Sequence, residues 1–155
     1  MKRQRIQRKH GRIRKNLRSK RRKGHTPTIS RLKKDLEAQL KLEVIRLYGR
    51  DCYTCPQKNL VGANCQLGHV PWPRTELSVA CRYHPDFCRI QCFRCNINKG
   101  GNGAKAMMRM MEQGIDVNLL WQQNLDAKER EKTNKCGIAW FQKEINHYQP
   151  LSEVM

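Results

Sequence analysis

Two C-x-x-C pairs are the residues of this chain whose type and spacing point most directly to chemistry. Cys52 and Cys55 form the first pair, and Cys92 and Cys95 form the second. A two-residue spacer lets one tight turn present two thiolates to the same ion, and four thiolates satisfy the tetrahedral coordination of Zn²⁺. A single pair would suit a redox dithiol, but two pairs argue against that alternative. The spacing therefore predicts a structural zinc site with four cysteine ligands.

Four further cysteines bring the total to eight. A secreted disulfide scaffold would need an export signal, and we expect none because the basic N terminus is not followed by an apolar stretch. We predict that the remaining cysteines are small buried apolar side chains rather than ligands, with Cys88 the best placed to compete for the ion. These residues are Cys65, Cys81, Cys88 and Cys136.

Basic residues are concentrated near the N terminus. Residues 1–34 contain 16 of the 32 Lys and Arg and no acidic residue, whereas residues 35–155 contain the other 16 together with all 13 Asp and Glu. A block of like charge does not fold alone and typically binds a polyanion by releasing condensed counterions. We therefore predict a basic arm over residues 1–29, either disordered or ordered by nucleic acid, and a folded domain over residues 30–155.

Nucleic acid is the first candidate partner of this arm, and a solubility tail, a nuclear import signal and an anionic membrane surface stay open as alternatives. The residues predicted to bind nucleic acid are the arginines and lysines of the arm: Arg3, Arg5, Arg8, Lys9, Arg12, Arg14, Lys15, Arg18, Lys20, Arg21, Arg22 and Lys23.

The composition excludes a membrane-spanning protein. Apolar residues make up 38% of the chain and aromatic residues 6%. No uncharged apolar run approaches the roughly 20 residues that a spanning helix needs. We therefore expect a protein of the cytosol or nucleus, with one compact domain besides the arm.

A helical pattern follows the arm. Ser30 is the predicted N-cap and Gly49 the predicted end of the helix. Between them, Glu37 and Lys41 are predicted to pair on the surface, one turn apart. The apolar stripe predicted to pack against the zinc module consists of Leu32, Leu36, Leu40, Val44 and Leu47.

The rest of the chain alternates short extended runs with helical patterns, which predicts an α+β fold. Strands are predicted over residues 66–70 and 77–83, separated by a loop with two prolines. A helix is predicted over residues 104–114, with inward-facing methionines as core filler. These methionines are Met107, Met108 and Met111.

Two more helices are predicted after residue 115. Asp116 is predicted to cap a short helix that runs through Trp121, and Thr133 or Asn134 to cap the last helix. The apolar residues of the last helix are Ile138, Phe141, Ile145 and Tyr148.

The order of the motifs resembles a known superfamily. A C-x-x-C pair, Gly68-His69 on a strand, and a second C-x-x-C pair followed by Asn96 and Lys99 resemble the treble-clef HNH (His-Me finger) endonucleases. The segments ANCQLGHV and CRYHPDFCRIQCFRCNINKGGN are similar to those of the phage NinG/Rap recombination endonucleases, over about residues 34–148. The resemblance implies a zinc-stabilised treble-clef ββα core flanked by helices.

The resemblance also implies roles for individual residues. His69 would be the general base that takes a proton from water, and Asn96 would contact a catalytic Mg²⁺ or another divalent cation. Lys99 would face phosphate. Asp86 is near enough in sequence to supply the carboxylate that Mg²⁺ usually takes. The alternatives are a non-catalytic histidine, a helix N-cap for Asn96, solvent exposure for Lys99 and a loop cap for Asp86.

Two functions follow from the sequence. The first is a metal-dependent DNA endonuclease of the HNH type that acts on branched or single-stranded recombination intermediates, in the cytoplasm of a phage host or another bacterium. The alternative is a non-catalytic zinc-binding module that binds nucleic acid or serves as an RNA-associated structural protein. RNA as the polymer, a homodimer and a recombinase partner stay open.

Overall fold

The computed structural model describes residues 27–148. The fold is α+β, as predicted, and it is mostly helical with one two-stranded sheet. Residues 1–26 of the basic arm, with every residue predicted to bind nucleic acid, lie outside the described residues. Among the described residues, no helix is both long enough and apolar enough to cross a membrane.

The regular elements follow one another in a simple order. The strands are β1 (Gln66–His69) and β2 (Cys88–Gln91). A π-helical segment (Arg94–Asn98) follows β2. The helices are α1 (Ile29–Tyr48), α2 (Val79–Arg82), α3 (Gly103–Glu112), α4 (Val117–Thr133) and α5 (Ile138–Tyr148).

Helix α1 confirms most of the predicted stripe. Leu32, Leu36, Leu40 and Val44 are buried, but Leu47 is 43% exposed because the described residues leave the last turn of α1 largely uncovered. The N-cap is Thr28, which accepts a hydrogen bond from the Arg31 N–H, and the predicted cap Ser30 lies inside the helix. The helix therefore starts one residue before the predicted domain boundary.

The sheet places His69 at the start of β2, at the end of that strand farther from the second cysteine pair. β1 and β2 are antiparallel, with Gly68 opposite Arg89 and His69 opposite Cys88. The prediction of a strand over residues 66–70 is confirmed, whereas the predicted strand over residues 77–83 is wrong, since its centre forms the single turn of α2. Side chains of α4 accept hydrogen bonds from the N–H groups that open this turn, which stabilises it as a helix.

Helix α3 turns a different face inward from the one predicted. Ala106 and Met110 are buried, whereas Met108 and Met111 are exposed. At Gly103 a Cβ would lie 2.5 Å from the carbonyl oxygen of Pro71, so the start of α3 packs directly on that backbone. Because residues three and seven positions after Gly103 share its face of the helix, this close approach decides which side chains enter the core.

The last two helices differ from the prediction mainly in their limits. Asp116 caps α4 as predicted, accepting from the N–H groups of Asn118 and Leu119. However, α4 continues past Trp121 to Thr133, so Thr133 ends this helix and does not cap the next one. In α5, Phe141 and Tyr148 are buried as predicted, Ile145 is partly buried and Ile138 is largely exposed.

Candidate metal centre and adjoining cleft

The two C-x-x-C pairs meet in one cluster. Four Sγ atoms lie within 4.8 Å of one another, those of Cys52, Cys55, Cys92 and Cys95. The Sγ atoms of Cys55 and Cys92 are 3.7 Å apart. Tetrahedral coordination with Zn–S bonds of about 2.3 Å requires sulfur–sulfur distances of about 3.8 Å. The cluster could therefore hold a metal ion, and its size is compatible with structural zinc.

Backbone hydrogen bonds fix the two cysteine turns against each other. The Tyr53 N–H donates to the carbonyl oxygen of Ile90 at 2.9 Å, which ties the first turn to β2. The Cys92 N–H donates to the Sγ of Cys52 at 3.3 Å, and the Cys95 N–H donates to the Sγ of Cys92 at 3.4 Å. Such N–H donors offset part of the negative charge that four thiolates bring to one ion.

The thiols of this cluster differ in pKa. Burial raises the pKa of Cys52, but the backbone N–H groups of Cys92 and Thr54 outweigh it and bring that pKa to about 6. Burial raises the pKa of Cys55 to about 12. Since only a thiolate binds zinc, an ion entering the cluster must displace protons from the more basic thiols.

The other cysteines lie apart from the cluster, as predicted. Cys65, Cys81 and Cys88 are buried and Cys136 is partly buried, and all are free thiols. Cys88, predicted to be the best competitor for the ion, is fully buried, and burial raises its pKa to about 12. It is therefore a protonated core side chain.

His69 is partly buried, and a single hydrogen bond decides its tautomer. Its Nε2 lies 3.0 Å from the carbonyl oxygen of Arg82, at the end of α2. Because a carbonyl oxygen only accepts, Nε2 carries the proton and Nδ1 of the neutral ring keeps its lone pair. Burial lowers the pKa of His69 from its ordinary value of 6.5. The ring is thus a neutral base at physiological pH.

Asn96 is oriented by a short relay of amide groups. Gln66 donates through Nε2 to the carbonyl oxygen of Ala63, so its Oε1 is free to accept from Asn96 Nδ2 at 2.9 Å. This leaves Asn96 Oδ1 on the side of Gly68, 3.1 Å from the position that a Cβ on that glycine would take. The oxygen of Asn96 therefore faces the strand that carries His69.

A second amide oxygen, which the sequence did not single out, approaches the same glycine. Gln91 is fully buried and donates through Nε2 to the carbonyl oxygen of Gly101 at 2.6 Å, which excludes the flipped amide. Its Oε1 has no hydrogen-bond partner among the described residues and lies 2.1 Å from the ideal Cβ position of Gly68. No other residue fits at position 68 unless Gln91 moves.

A cavity of about 660 Å³ between α1 and the start of β1, here called the α1 cleft, brings Asn96 together with charged side chains. Glu37 lines this cleft and receives a hydrogen bond from Arg74 Nη1 at 3.0 Å. Its charge also raises the pKa of His69, against the larger effect of burial. Glu37 thus pairs with Arg74 and not with the predicted partner Lys41, which donates to the carbonyl oxygen of Cys65.

Asp86 and Lys99 lie away from this arrangement. Asp86 lines a different cavity, together with Tyr48 and Arg89, and its carboxylate is 3.5 Å from Nδ1 of His84. Lys99 is exposed just after the π-helical segment. The structure therefore groups Asn96 with Glu37 and does not group it with Asp86. The sequence pattern assigned Glu37 to the surface. Its place in the α1 cleft becomes visible only through its contact with Arg74, 37 positions away.

Comparison of this chain with protein-family models, with curated proteins and with solved structures finds no match.

Proposed function

We propose that this chain is a metal-dependent DNA endonuclease of the HNH type. The observation that carries the proposal is the hydrogen bond from His69 Nε2 to the carbonyl oxygen of Arg82. It fixes the tautomer and leaves Nδ1 as a proton acceptor, while burial, which lowers the pKa of the ring, keeps it neutral. A base at the end of β1, the strand whose Gln66 and Leu67 line a cleft with two lysines and Asn96, suits hydrolysis of a phosphodiester.

In the proposed reaction, Nδ1 of His69 takes a proton from a water molecule. The resulting hydroxide attacks the phosphorus atom, the bond from phosphorus to the 3′ oxygen breaks, and the leaving oxygen takes a proton from solvent water. The products are a strand with a 5′ phosphate and a strand that ends in a 3′ hydroxyl. Lys34 and Lys41, which line the α1 cleft, supply positive charge for the phosphate oxygens.

The donor set also fits a hard divalent cation. Asn96 Oδ1 and the unpartnered Oε1 of Gln91 face Gly68, and Glu37 is the carboxylate of the α1 cleft. Amide and carboxylate oxygens are the ligands that Mg²⁺ takes in proteins. Such a cation, when bound, stabilises negative charge on the phosphate and on the leaving oxygen.

The cysteine cluster has a structural role in this proposal. A zinc ion on the four thiolates would fasten the turn at Cys52 to the end of β2 and to the π-helical segment, which together form a treble-clef ββα core. Strands of four residues cannot hold this geometry alone. We further propose that the basic arm supplies sequence-independent affinity for DNA, and that the substrates are branched or single-stranded recombination intermediates.

Two observations favour the alternative, a zinc-binding module without catalysis. Successive residues of a strand project to opposite faces, and Gly68 faces Asn96 while His69 faces the carbonyl of Arg82. In addition, Glu37, the carboxylate of the α1 cleft, already has a cationic partner in Arg74. A protein of this kind would bind nucleic acid and leave it intact.

A cleavage assay separates the two functions. The zinc-loaded full chain is incubated with a labelled four-way DNA junction and with linear duplex, in Mg²⁺, in Mn²⁺ or in EDTA. The endonuclease proposal predicts nicks that need the divalent ion and leave 5′ phosphates. Binding of both substrates without cleavage in either metal would support the non-catalytic module.

A further inference from the structure

An exposed apolar patch lies at the second cysteine turn, outside the proposed catalytic groups. Its members are Val61, Phe93 and Ile97, with exposed fractions of 67%, 48% and 56%. We call these three residues the knuckle patch. Phe93 and Ile97 are one turn apart on the same helical segment, so they share a face.

The backbone beneath this patch is fixed. The Phe93 N–H donates to Asn64 Oδ1 at 2.9 Å, and the Asn64 N–H donates to the carbonyl oxygen of Val61 at 3.2 Å. Phe93 also lies between Cys92 and Cys95, two members of the metal-binding cluster. An aromatic ring held on a fixed backbone loses little conformational entropy when a ligand covers it.

The charge around the knuckle patch favours binding of a polyanion. Residues 52–75 and 87–111 contain seven Lys and Arg and no acidic residue. Among them, Arg94 and Lys99 are exposed, whereas Lys58 is paired with Asp51 at 2.9 Å. Since the chain carries a net charge of +19, a second copy of it would be repelled from this surface. An apolar ring among cations suits a ligand with flat apolar faces and negative charge.

The patch is also continuous with the α1 cleft. Asn96 follows Phe93 by three residues and lines the cleft, and the loop at residues 62–64 that supports Phe93 forms part of the cleft wall. A nucleic-acid strand with one base on Phe93 can therefore lay its phosphates along Arg94 toward Asn96.

We propose that Phe93 stacks on one unpaired nucleobase of a DNA single strand that leads into the α1 cleft. A base within a duplex has both faces covered by its neighbours, so only an unpaired base can cover the ring. This inference rests on the proposed function as far as the cleft is concerned, and it adds the residue that would contact the unpaired DNA.

The test measures binding of the zinc-loaded full chain to a dye-labelled single strand and to a dye-labelled blunt-ended linear duplex by fluorescence anisotropy. Phe93→Ala is expected to weaken single-strand binding by about 5- to 150-fold, the range for loss of one stacked base, and to leave duplex binding unchanged. Phe93→Trp is expected to retain single-strand binding. Leu119→Ala is the matched control for loss of an exposed apolar side chain outside the knuckle patch, and zinc content and far-UV circular dichroism verify folding of each variant.

Several outcomes would overturn the inference. These are unchanged single-strand affinity in Phe93→Ala, an equal loss for single strand and duplex, or a loss confined to an RNA strand of the same length. A wild-type dimer that Phe93→Ala converts to a monomer in sedimentation would instead identify the patch as an interface between copies. Absence of DNA cleavage by the wild type would refute the proposed function, while a selective effect of Phe93→Ala on single-strand binding would still support stacking.

Discussion

The imidazole of His69 donates its Nε2 proton to the carbonyl oxygen of Arg82 across 3.0 Å, so a strand residue is held by the end of a one-turn helix. That helix, α2, is held in turn from α4. Asn124 Oδ1 accepts from the Ser78 N–H at 2.7 Å, and Glu131 accepts from the first two N–H groups of α2 at 2.9 and 2.8 Å. The position of the histidine therefore depends on a helix that begins about fifty residues later.

The first prediction concerns the pH dependence of DNA cleavage. Burial lowers the pKa of His69 below 6.5, and only the neutral ring accepts a proton. The cleavage rate is therefore expected to rise with pH, with a midpoint below 6.5, and to reach a plateau by neutral pH. Single-turnover rates across this range check the prediction, and a midpoint above 6.5 would contradict it.

The same shift predicts how stability depends on pH. The folded pKa of His69 is lower than the unfolded one, so the unfolded chain binds more protons as the pH falls through 6.5. The contribution of the neutral ring is present above that pH and is lost below it. Urea unfolding of the wild type and of His69→Gln should therefore show a loss of stability on acidification that is larger in the wild type.

The second prediction concerns Glu37. Its negative charge raises the pKa of His69, so Glu37→Gln should lower the pKa of that ring further. The imidazole resonances of His69 in NMR titrations check this directly, with Glu112→Gln as the control. A pKa that rises or stays the same in Glu37→Gln would mean that the carboxylate does not act on the ring.

The third prediction concerns Gly68. A Cβ at this position would lie 2.1 Å from Oε1 of Gln91, which is itself buried. Gly68→Ala should therefore cost about 1–3 kcal/mol of unfolding free energy, as overpacking of a core typically does. Gly137→Ala is the control, because a Cβ there meets no atom within 4 Å. Equal stability of the two variants in urea unfolding would refute the close contact.

The fourth prediction concerns the support of α2. Glu131→Ala leaves the N–H groups of Val79 and Ala80 without their acceptor and should cost about 1–3 kcal/mol of unfolding free energy. Glu129→Ala is the matched control on the same helix, since its ion pair with Lys132 is exposed and contributes little. Thermal unfolding of both variants tests this, and a larger loss in Glu129→Ala would contradict it.

The fifth prediction concerns the metal centre. Cys92→Ser should lose zinc and unfold the region around β1 and β2, because these short strands depend on the ion. Cys136→Ser is expected to keep its zinc, since Cys136 lies outside the cluster. Metal analysis together with far-UV circular dichroism measures both effects. Full zinc content in Cys92→Ser would show that the cluster is not the binding site.

Local spacing was enough to predict the features that depend on neighbouring residues. The stripe from Leu32 to Val44 is buried and Asp116 caps a helix, and both follow from the spacing of a few residues that the sequence displays directly. The convergence of the two C-x-x-C pairs, 37 positions apart, was predictable from the four ligands that one zinc ion requires.

Features that depend on distant contacts were not predictable in this way. The segment around Val79 has the alternation of a strand but forms a helix, because its N–H groups bond Glu131, 52 positions away. Glu37 has the spacing of a surface pair with Lys41, but Arg74, 37 positions away, is its partner. A single sequence carries no signal that joins these pairs, so the helical turn and the carboxylate of the α1 cleft appear only in three dimensions.

The central claim is that His69 acts as the base in DNA hydrolysis, and its most direct test is the single-turnover cleavage rate of His69→Ala with DNA binding measured in the same samples. The account predicts a rate at least about 100-fold below that of the wild type, as loss of a general base typically gives, with unchanged zinc content and unchanged affinity. A variant that cleaves as fast as the wild type would contradict it.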